Sequence, residues 1–409
     1  MPDRLGRPAA PDPSGSALRR CVGDPAAFAD GHWGAQPLLR SAGDFADLLD
    51  LDAVDELLSE RGLRTPFLRL ARDGKLVAAE RFTGGGGLGA EIADQVRDDR
   101  VLDLLAGGAT LVLQGLHRIW PPLRAFCLEL AGELGCAVQA NAYLTPAGNT
   151  GFATHYDTHD VFVLQIAGTK HWRVHEPVYP DPLERQPWGG RADEVAATAT
   201  GPAYLDHVLS PGELLYLPRG WLHAASAIEA TSLHVTLGLR RPTRYTVAQA
   251  LLDLTGADPR LRAGLPLGLD LTDPAQLAPH LAATVEALHE AMAKADPEEV
   301  ARRLRAAQWT AHRPAPVRPV AQAAFADALT AADRVRLRPG LRFTCVDGRL
   351  ELPGRVLTFP GGCQRALEAV LAGPAVRVGD LPGLDDDASR LVLARRLLRE
   401  AVLVPADEV

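Results

Sequence analysis

The chain has 409 residues, of which 47% are hydrophobic and 23% are charged, the proportions of an ordinary globular protein. This length exceeds what one hydrophobic core usually serves and predicts two or three domains. The formal net charge of -8 gives no general attraction to nucleic acid or to an anionic membrane, so we expect neither as a partner.

The cysteines argue against two kinds of site. The chain has 5 of them, far apart and without a Cys-x-x-Cys pair. This pattern excludes a disulfide framework and a zinc-thiolate site. The N-terminus lacks the apolar core of a signal peptide, and no stretch approaches the roughly 20 apolar residues of a membrane helix. We therefore predict a cytoplasmic protein.

The pattern of apolar residues changes along the chain and predicts four segments. Residues 1–26 are rich in Pro, Ala and Gly without periodic spacing, which predicts a disordered leader. Residues 27–244 form a catalytic unit whose later part contains short apolar or alternating runs typical of strands. Residues 245–310 have helical periodicity, and residues 311–409 mix strands and helices as a small α+β or winged-helix domain does.

Three separated residues predict a metal site. His155 and Asp157 are two apart, so on an extended strand both side chains leave the same face. Pro218 and Gly220 predict a tight turn, after which His223 begins the next strand. Two histidines and one carboxylate leave three coordination positions open, which suits non-haem Fe(II), although Mn, Co or Ni would also be accepted. Zinc would prefer a closed tetrahedral set or a single water.

Lys170 extends the metal site to a cosubstrate site. It is one of 3 lysines, the others being Lys75 and Lys294, whereas arginine supplies nearly all other positive charge. It lies one strand and one tight turn after His155, where an amine can point towards the metal. If 2-oxoglutarate chelates the metal, its far carboxylate needs such a cation, because an unpaired carboxylate in an apolar pocket is costly.

Two further strands carry alternating polar residues. His234 and Thr236 share one face of SLHVTLG. If this face points into the barrel, Thr236 can join Lys170, and His234 is the second choice for the third metal ligand. Asn141 and Tyr143 alternate in the same way upstream, although each alone also fits a buried core polar group.

Five motifs stand in order between Asn141 and Leu239: Asn-x-Tyr-Leu-Thr-Pro, His-Tyr-Asp, Val-Phe-x-Leu-Gln-x-x-Gly-x-Lys-x-Trp-Arg-Val, Pro-Gly-Glu-Leu-Leu-Tyr-x-Pro-Arg-Gly-x-x-His and Ser-Leu-His-Val-Thr. This region resembles the JmjC-type, cupin-fold 2-oxoglutarate oxygenases, and most of all the ribosomal oxygenases with their bacterial members. The resemblance implies an α+β fold: a double-stranded β-helix (cupin or jelly-roll) barrel, a helical dimerisation segment and a C-terminal winged-helix-like domain.

The resemblance also implies roles for single residues. It implies that iron is bound by His155, Asp157 and His223, that 2-oxoglutarate is held by Lys170, Thr236 and Asn141, and that Tyr143 approaches the substrate. Two departures from the family pattern, residues 158–160 and Gly238, lie where substrate choice would be decided. The identity of the target therefore does not transfer.

We expect a 2-oxoglutarate-dependent dioxygenase that takes dioxygen and hydroxylates a side chain of a protein, such as a ribosomal protein, or of a peptide. The connection from Glu176 to Leu209 is interpreted as an insertion that suits an extended substrate chain. One alternative is a tailoring hydroxylase of a natural-product peptide or small metabolite. A second is a cupin that uses another metal without 2-oxoglutarate, against which Lys170 argues. A third is a non-catalytic binding module whose winged helix contacts nucleic acid, which the mixed charges of RLVLARRLLRE oppose.

Overall fold

The computed structural model describes residues 16–72, 74–149 and 153–406. The chain divides into two compact units between Arg241 and Pro242. No helix in the described part of the chain is long and apolar enough to cross a membrane.

The first unit combines helices with two main sheets, of eight and three strands, and a separate two-stranded sheet. Its helices are α1 (Ala17–Val22), α2 (Pro25–Gly31), α3 (Leu51–Ser59), α4 (Asp98–Ala106), α5 (Leu116–Ile119), α6 (Pro121–Leu134) and α7 (Ala192–Ala199). Its strands are β1 (Leu38–Ser41), β2 (Leu68–Arg72), β3 (Lys75–Leu76), β4 (Thr83–Gly84), β5 (Gln95–Val96), β6 (Thr110–Leu113), β7 (Ala137–Thr145), β8 (Asp160–Ala167), β9 (Lys170–His175), β10 (Leu205–Leu209), β11 (Glu213–Leu217), β12 (Leu222–Ala227) and β13 (Ser232–Arg240).

The two sheets pack face to face. The larger has the order β1-β11-β8-β13-β7-β6-β2-β3, and the smaller has the order β10-β9-β12. Because side chains alternate along a strand, the two faces of β8 contribute to two different hydrophobic cores. Phe162 and Leu164 pack on the helix-covered face, whereas Val161 and Val163 pack against Trp172 of the smaller sheet. The inner faces of the two sheets thus form a barrel with an interior, and the predicted α+β class is confirmed.

The predicted disordered leader over residues 1–26 extends too far. Residues 1–15 lie outside the described residues, but Ala17–Val22 form α1 and Cys21 is fully buried. Glu129 and Glu133 on α6 accept hydrogen bonds from the backbone N–H groups of Ala17 and Leu18, at 3.1 and 2.8 Å. The helix is therefore stabilised by tertiary contacts at its N-terminus, which a composition argument cannot detect.

The second unit begins with helices and continues as a small α+β structure. Its helices are α8 (Arg244–Thr255), α9 (Pro259–Arg262), α10 (Pro274–Ala293), α11 (Pro297–Ala311), α12 (Pro319–Ala328), α13 (Gln364–Leu371) and α14 (Asp387–Arg399). Its strands are β14 (Arg334–Leu337), β15 (Thr344–Val346), β16 (Arg349–Leu352), β17 (Arg355–Thr358), β18 (Val376–Arg377) and β19 (Leu403–Pro405). The strands form two sheets, β18-β14-β19 and β15-β16-β17, around a separate hydrophobic core that also includes α12, α13 and α14.

Two long helices of this unit begin as their sequence predicts. Asp273 precedes Pro274 and Asp296 precedes Pro297, and each aspartate side chain accepts a hydrogen bond from a backbone N–H of the first turn. Proline is tolerated there because the first N–H groups of a helix have no partner inside it.

Candidate active site

The backbone brings His155 and His223 together as an isolated antiparallel bridge. The His155 N–H donates to the His223 carbonyl at 3.2 Å, and the His223 N–H donates to the His155 carbonyl at 2.8 Å. The turn before His223 also positions Asp157, because the Gly220 N–H donates to the carbonyl of Asp157 at 2.9 Å. Gly220 has a φ of 89°, a conformation that favours glycine.

The three side chains offer ligand atoms to one point. One potential ligand atom from each of His155, Asp157 and His223 lies within 4.8 Å of the others. The Nδ1 atom of His155 lies 2.8 Å from the Ala153 carbonyl, and that of His223 lies 3.1 Å from the Trp221 carbonyl. A carbonyl only accepts, so each Nδ1 carries the proton and each Nε2 presents a lone pair. This donor set fits a divalent metal ion.

Charges in the site also favour metal binding. Burial and the neighbouring His155 lower the pKa of His223 to about 4, so the imidazole is neutral at pH 7. Burial alone would raise the pKa of Asp157, but the neighbouring histidines outweigh it, and the pKa lies below its usual value. A neutral imidazole and an ionised carboxylate are the forms that bind metals.

Lys170 lies inside the barrel. It begins β9 directly after the turn that follows β8, and it is only 3% exposed. Its Nζ donates to the Thr145 hydroxyl at 3.0 Å, and the Thr110 hydroxyl lies 3.3 Å from that of Thr145. Burial lowers the pKa of Lys170 to about 7. A buried amine surrounded by hydroxyls is stabilised as a cation when a carboxylate binds beside it.

The structure places His234 and Thr236 on the inner face of β13, because Val235 and Leu237 lie in the helix-covered core. His234 is outside the group that can hold a metal; its ring stacks on that of Tyr143 at 5.0 Å, and burial and Lys170 lower its pKa. Thr236 is hydrogen bonded to Tyr143. His234 therefore belongs to the wall of the site.

Asn141 and Tyr143 also lie on the inner face. Asn141 Oδ1 accepts a hydrogen bond from the Gly115 N–H at 3.0 Å, which leaves its amide NH₂ free to act as a donor towards the cavity. Burial raises the pKa of Tyr143 to about 12, so its hydroxyl stays protonated. Both side chains can therefore donate to a bound ligand.

Sequence reasoning missed several residues of the wall. Thr145 accepts the hydrogen bond from Lys170. Trp172 lies two residues after Lys170 on the same strand face, and its buried indole N–H has no acceptor among the described residues. The signal was the alternation of Lys170 and Trp172 along β9, which places both side chains in the interior.

The two departures from the family pattern lie side by side. A Cβ on Gly238 would lie 2.8 Å from two atoms of the His159 ring and 2.9 Å from Nε2 of Gln139. Gly238 thus makes room for His159, which lines the cavity. Asp160 has a structural role instead, because its buried carboxylate accepts from the Tyr216 hydroxyl at 2.9 Å.

The connection interpreted as an insertion is shorter than predicted. Its last residues, Leu205–Leu209, form β10 and pair with β9, so they belong to the barrel. The remainder contains a 3₁₀ turn, Trp188–Arg191, followed by α7. The Trp188 ring packs beside Tyr156, Val195 and Leu222, and its centroid lies 6.3 Å from that of the His155 ring, so the connection contacts one metal-ligand candidate.

The structure contains a cavity of about 560 Å³ at this site. It is lined by the three candidate metal ligands, by Lys170 and Trp172, and by the inner faces of β7 and β13. The volume lies within the range of small-molecule sites.

The model of the JmjC domain matches residues 124–247. This part of the chain is therefore similar to JmjC domains. The chain is 38% identical over 154 residues to the bifunctional lysine-specific demethylase and histidyl-hydroxylase NO66 of Drosophila persimilis. The aligned region covers 36% of this chain and 22% of that protein. The chain is 38% identical over 146 residues to ribosomal oxygenase 2 of Bos taurus, and the aligned region covers 34% of this chain and 30% of that protein. The chain thus spans less than a third of the length of these curated relatives.

Solved structures extend the likeness in fold beyond this domain. The Escherichia coli ribosomal oxygenase YcfD superimposes with a TM-score of 0.56 and 18% identity, covering 94% of this chain and 99% of that one. A second YcfD structure, in complex with cobalt and 2-oxoglutarate, gives a TM-score of 0.55 at 18% identity, covering 94% of this chain and 98% of that one. The predicted cupin-type barrel is thereby confirmed, since the match covers the JmjC-type domain and its flanks.

Proposed function

We propose that this protein is an Fe(II)- and 2-oxoglutarate-dependent oxygenase. The observation that carries the proposal is the presence, in one cavity, of a three-ligand metal site and a buried lysine. The facial arrangement of two histidines and a carboxylate suits non-haem Fe(II) and leaves positions for a bidentate cosubstrate and dioxygen. The relatives are named as a histidyl-hydroxylase and a ribosomal oxygenase, which supports the same reaction class.

The metal would be held by His155, Asp157 and His223, and bound Fe(II) would supply the redox chemistry that uses dioxygen. In the overall reaction, substrate C–H, 2-oxoglutarate and dioxygen give substrate C–OH, succinate and carbon dioxide. Lys170 would bind the far carboxylate of 2-oxoglutarate, with donors from Asn141 and Trp172. Val161 and Val163 of β8 give the same cavity an apolar wall.

The substrate that we propose is a side chain of a ribosomal protein. A polypeptide is supported by the names of the relatives, which are ribosomal oxygenase and histidyl-hydroxylase. The test is intact-mass analysis of ribosomal proteins from cells with and without the gene. One protein should lack the mass of a single oxygen atom when the gene is absent. Identical spectra would reject a ribosomal substrate.

The affinity for 2-oxoglutarate should depend on pH through Lys170. In the ligand-free protein its pKa is about 7, and a bound carboxylate raises this pKa because it favours the ammonium. Below pH 7 the lysine is already charged and the Kd should be constant. Above pH 7 binding requires proton uptake, so the Kd should rise about tenfold per pH unit until the pKa of the complex is reached. Calorimetric titration of metal-loaded protein between pH 6 and 9 measures this, and Lys170→Met should abolish the slope.

Substitution of Gly238 should affect substrate turnover and spare the cosubstrate. In Gly238→Ala the new methyl group displaces His159 at the cavity wall. A displacement of about 1 Å can reduce turnover by about a hundredfold, so we expect a loss of roughly tenfold to a hundredfold with an unchanged Kd for 2-oxoglutarate. Gly132→Ala is the matched control, since nothing lies within 4 Å of its new methyl group. The double variant with His159→Ala should recover activity; equal losses in the single and double variants would contradict this account.

For the flanking segments we propose a helical dimerisation segment over residues 245–310 and a winged-helix-like domain over residues 311–409. The first is supported by Val247 and Leu252 on α8 and by Leu281 and Val285 on α10, which are 40 to 55% exposed. The second is supported by the three-stranded sheet β18-β14-β19, whose strands alternate with α13 and α14. A cytoplasmic location is supported by the free cysteines of the described chain.

A further inference from the structure

The cavity carries more positive charge than the proposed reaction needs. Among the described residues that line it, Asp157 is the one carboxylate, whereas the cations are Lys170, Arg69, Arg118 and Arg240. The two charges of Fe(II) and the charge of Lys170 would be balanced by Asp157 and the two carboxylates of 2-oxoglutarate. The positive charges of the three arginines have no counterpart in this balance.

The three arginines differ in what they contact. Arg240 donates to Glu184 at 3.0 Å and is already neutralised. Arg118 is exposed on α5 at the edge of the cavity. Arg69 is partly buried on β2, and its Nε lies out of contact with water and has no hydrogen-bond partner in the described part of the chain. A buried guanidinium N–H without an acceptor costs free energy, which a ligand oxygen would recover.

The register of the larger sheet fixes where Arg69 lies. Arg69 is opposite Val112 on β6, Val112 is opposite Tyr143 on β7, and Tyr143 is opposite His234 on β13. Directly opposed residues of antiparallel strands share a face, so Arg69 points to the same interior as Tyr143. Two strand spacings separate their backbones, a distance of roughly 10 Å.

Arg69 does not lie in the same row of cross-strand neighbours as the residues around Lys170. Lys170 bonds Thr145, which contacts Thr110, and the residue of β2 opposite Thr110 is Ala71. Arg69 is two residues away from Ala71 along β2. The two cations therefore serve different parts of the cavity, and a ligand carboxylate beside Lys170 leaves Arg69 without an anion.

We propose that Arg69 binds a carboxylate of the substrate, and that the substrate is a polypeptide with an acidic residue near the oxidised residue. This inference rests on the proposed function. Arginine binds carboxylates through two parallel hydrogen bonds, and such a pair is strengthened in a partly buried site. Because Arg69 and the proposed metal ligands line the same cavity, we expect the acidic residue within a few positions of the oxidised one.

The test uses the whole protein loaded anaerobically with Fe(II) and 2-oxoglutarate. The probes are fluorescent peptides with a central histidine and one aspartate at each position up to four residues on either side; their partners carry asparagine. Wild type should bind one aspartate peptide about tenfold more tightly than its asparagine partner, as expected for a charge-assisted pair worth about 1.4 kcal/mol. Arg69→Gln should remove this preference. Arg240→Gln, which removes a cavity arginine that already has a carboxylate partner, should retain it.

The visible absorption band of the Fe(II) complex with 2-oxoglutarate is recorded in every sample. If wild type lacks this band, the proposed function fails, and the acidic-substrate inference that rests on it fails with it. If the band is present but no aspartate peptide is preferred, the acidic-substrate inference is wrong. An Arg69→Gln variant with a weakened Kd for 2-oxoglutarate would also overturn it, since Arg69 would then serve the cosubstrate.

Discussion

Replacement of Asp157 by alanine should reduce 2-oxoglutarate-dependent succinate formation by more than about a hundredfold. Outer-shell partners of a metal ligand are typically worth about 10- to 100-fold in affinity or activity, and Asp157 is itself a proposed ligand. It also supplies the one negative charge among the three, so its loss leaves two neutral imidazoles to hold a dication. Succinate release and bound iron, both measured per protein, report the result.

Asp206→Ala is the matched control for Asp157→Ala. Asp206 also contacts a histidine, His171, but the pair is exposed on the smaller sheet and does not line the cavity. Its removal should leave iron content and succinate formation within about twofold, because exposed ion pairs are worth about 0–1 kcal/mol. If Asp157→Ala kept full activity and full iron content, the proposed ligand set would be wrong.

Replacement of Lys170 by methionine should raise the Kd for 2-oxoglutarate by roughly 30-fold to several thousandfold. Truncating one partner of a buried charge pair costs about 2–5 kcal/mol, much of it from the charge left unpaired. Methionine keeps the length and apolar stem of lysine, so the far carboxylate of 2-oxoglutarate would face a thioether. Iron binding should be unchanged, since Lys170 is not among the three ligands.

The control for Lys170 is Lys75→Met. Lys75 is an exposed lysine on β3, and its replacement should leave the Kd for 2-oxoglutarate unchanged. The thermal midpoint of Lys170→Met should not fall, because the ligand-free protein loses a buried amine whose charged form is disfavoured by desolvation. Equal Kd values for wild type and Lys170→Met would assign the far carboxylate to another cation.

The candidate metal site could be predicted because its signals are local. His155 and Asp157 are two residues apart, and the turn residues Pro218 and Gly220 precede His223 by a few positions. Short-range spacing specifies strand face and turn geometry directly. The backbone bridge between the two histidines could not be read from the sequence, because it depends on the register of segments far apart in the chain.

The residues that were missed reach the cavity through sheet order. Arg69 and Thr110 lie on β2 and β6, well before the five motifs, and they face the interior because these strands extend the larger sheet beyond β7. Strand order depends on which edges are free to pair, a property of the whole fold. The same reasoning explains β10, which joins the barrel by pairing with β9 although its segment was interpreted as part of an insertion.

The central claim is that one cavity holds Fe(II) and 2-oxoglutarate together. Its most direct test is the visible absorption spectrum of the anaerobic protein titrated with Fe(II) and then with 2-oxoglutarate. We expect a weak visible band that requires both components, is absent in His223→Ala, and disappears with formation of succinate when air is admitted. Iron binding with neither a band nor succinate formation in the wild-type protein would contradict the account.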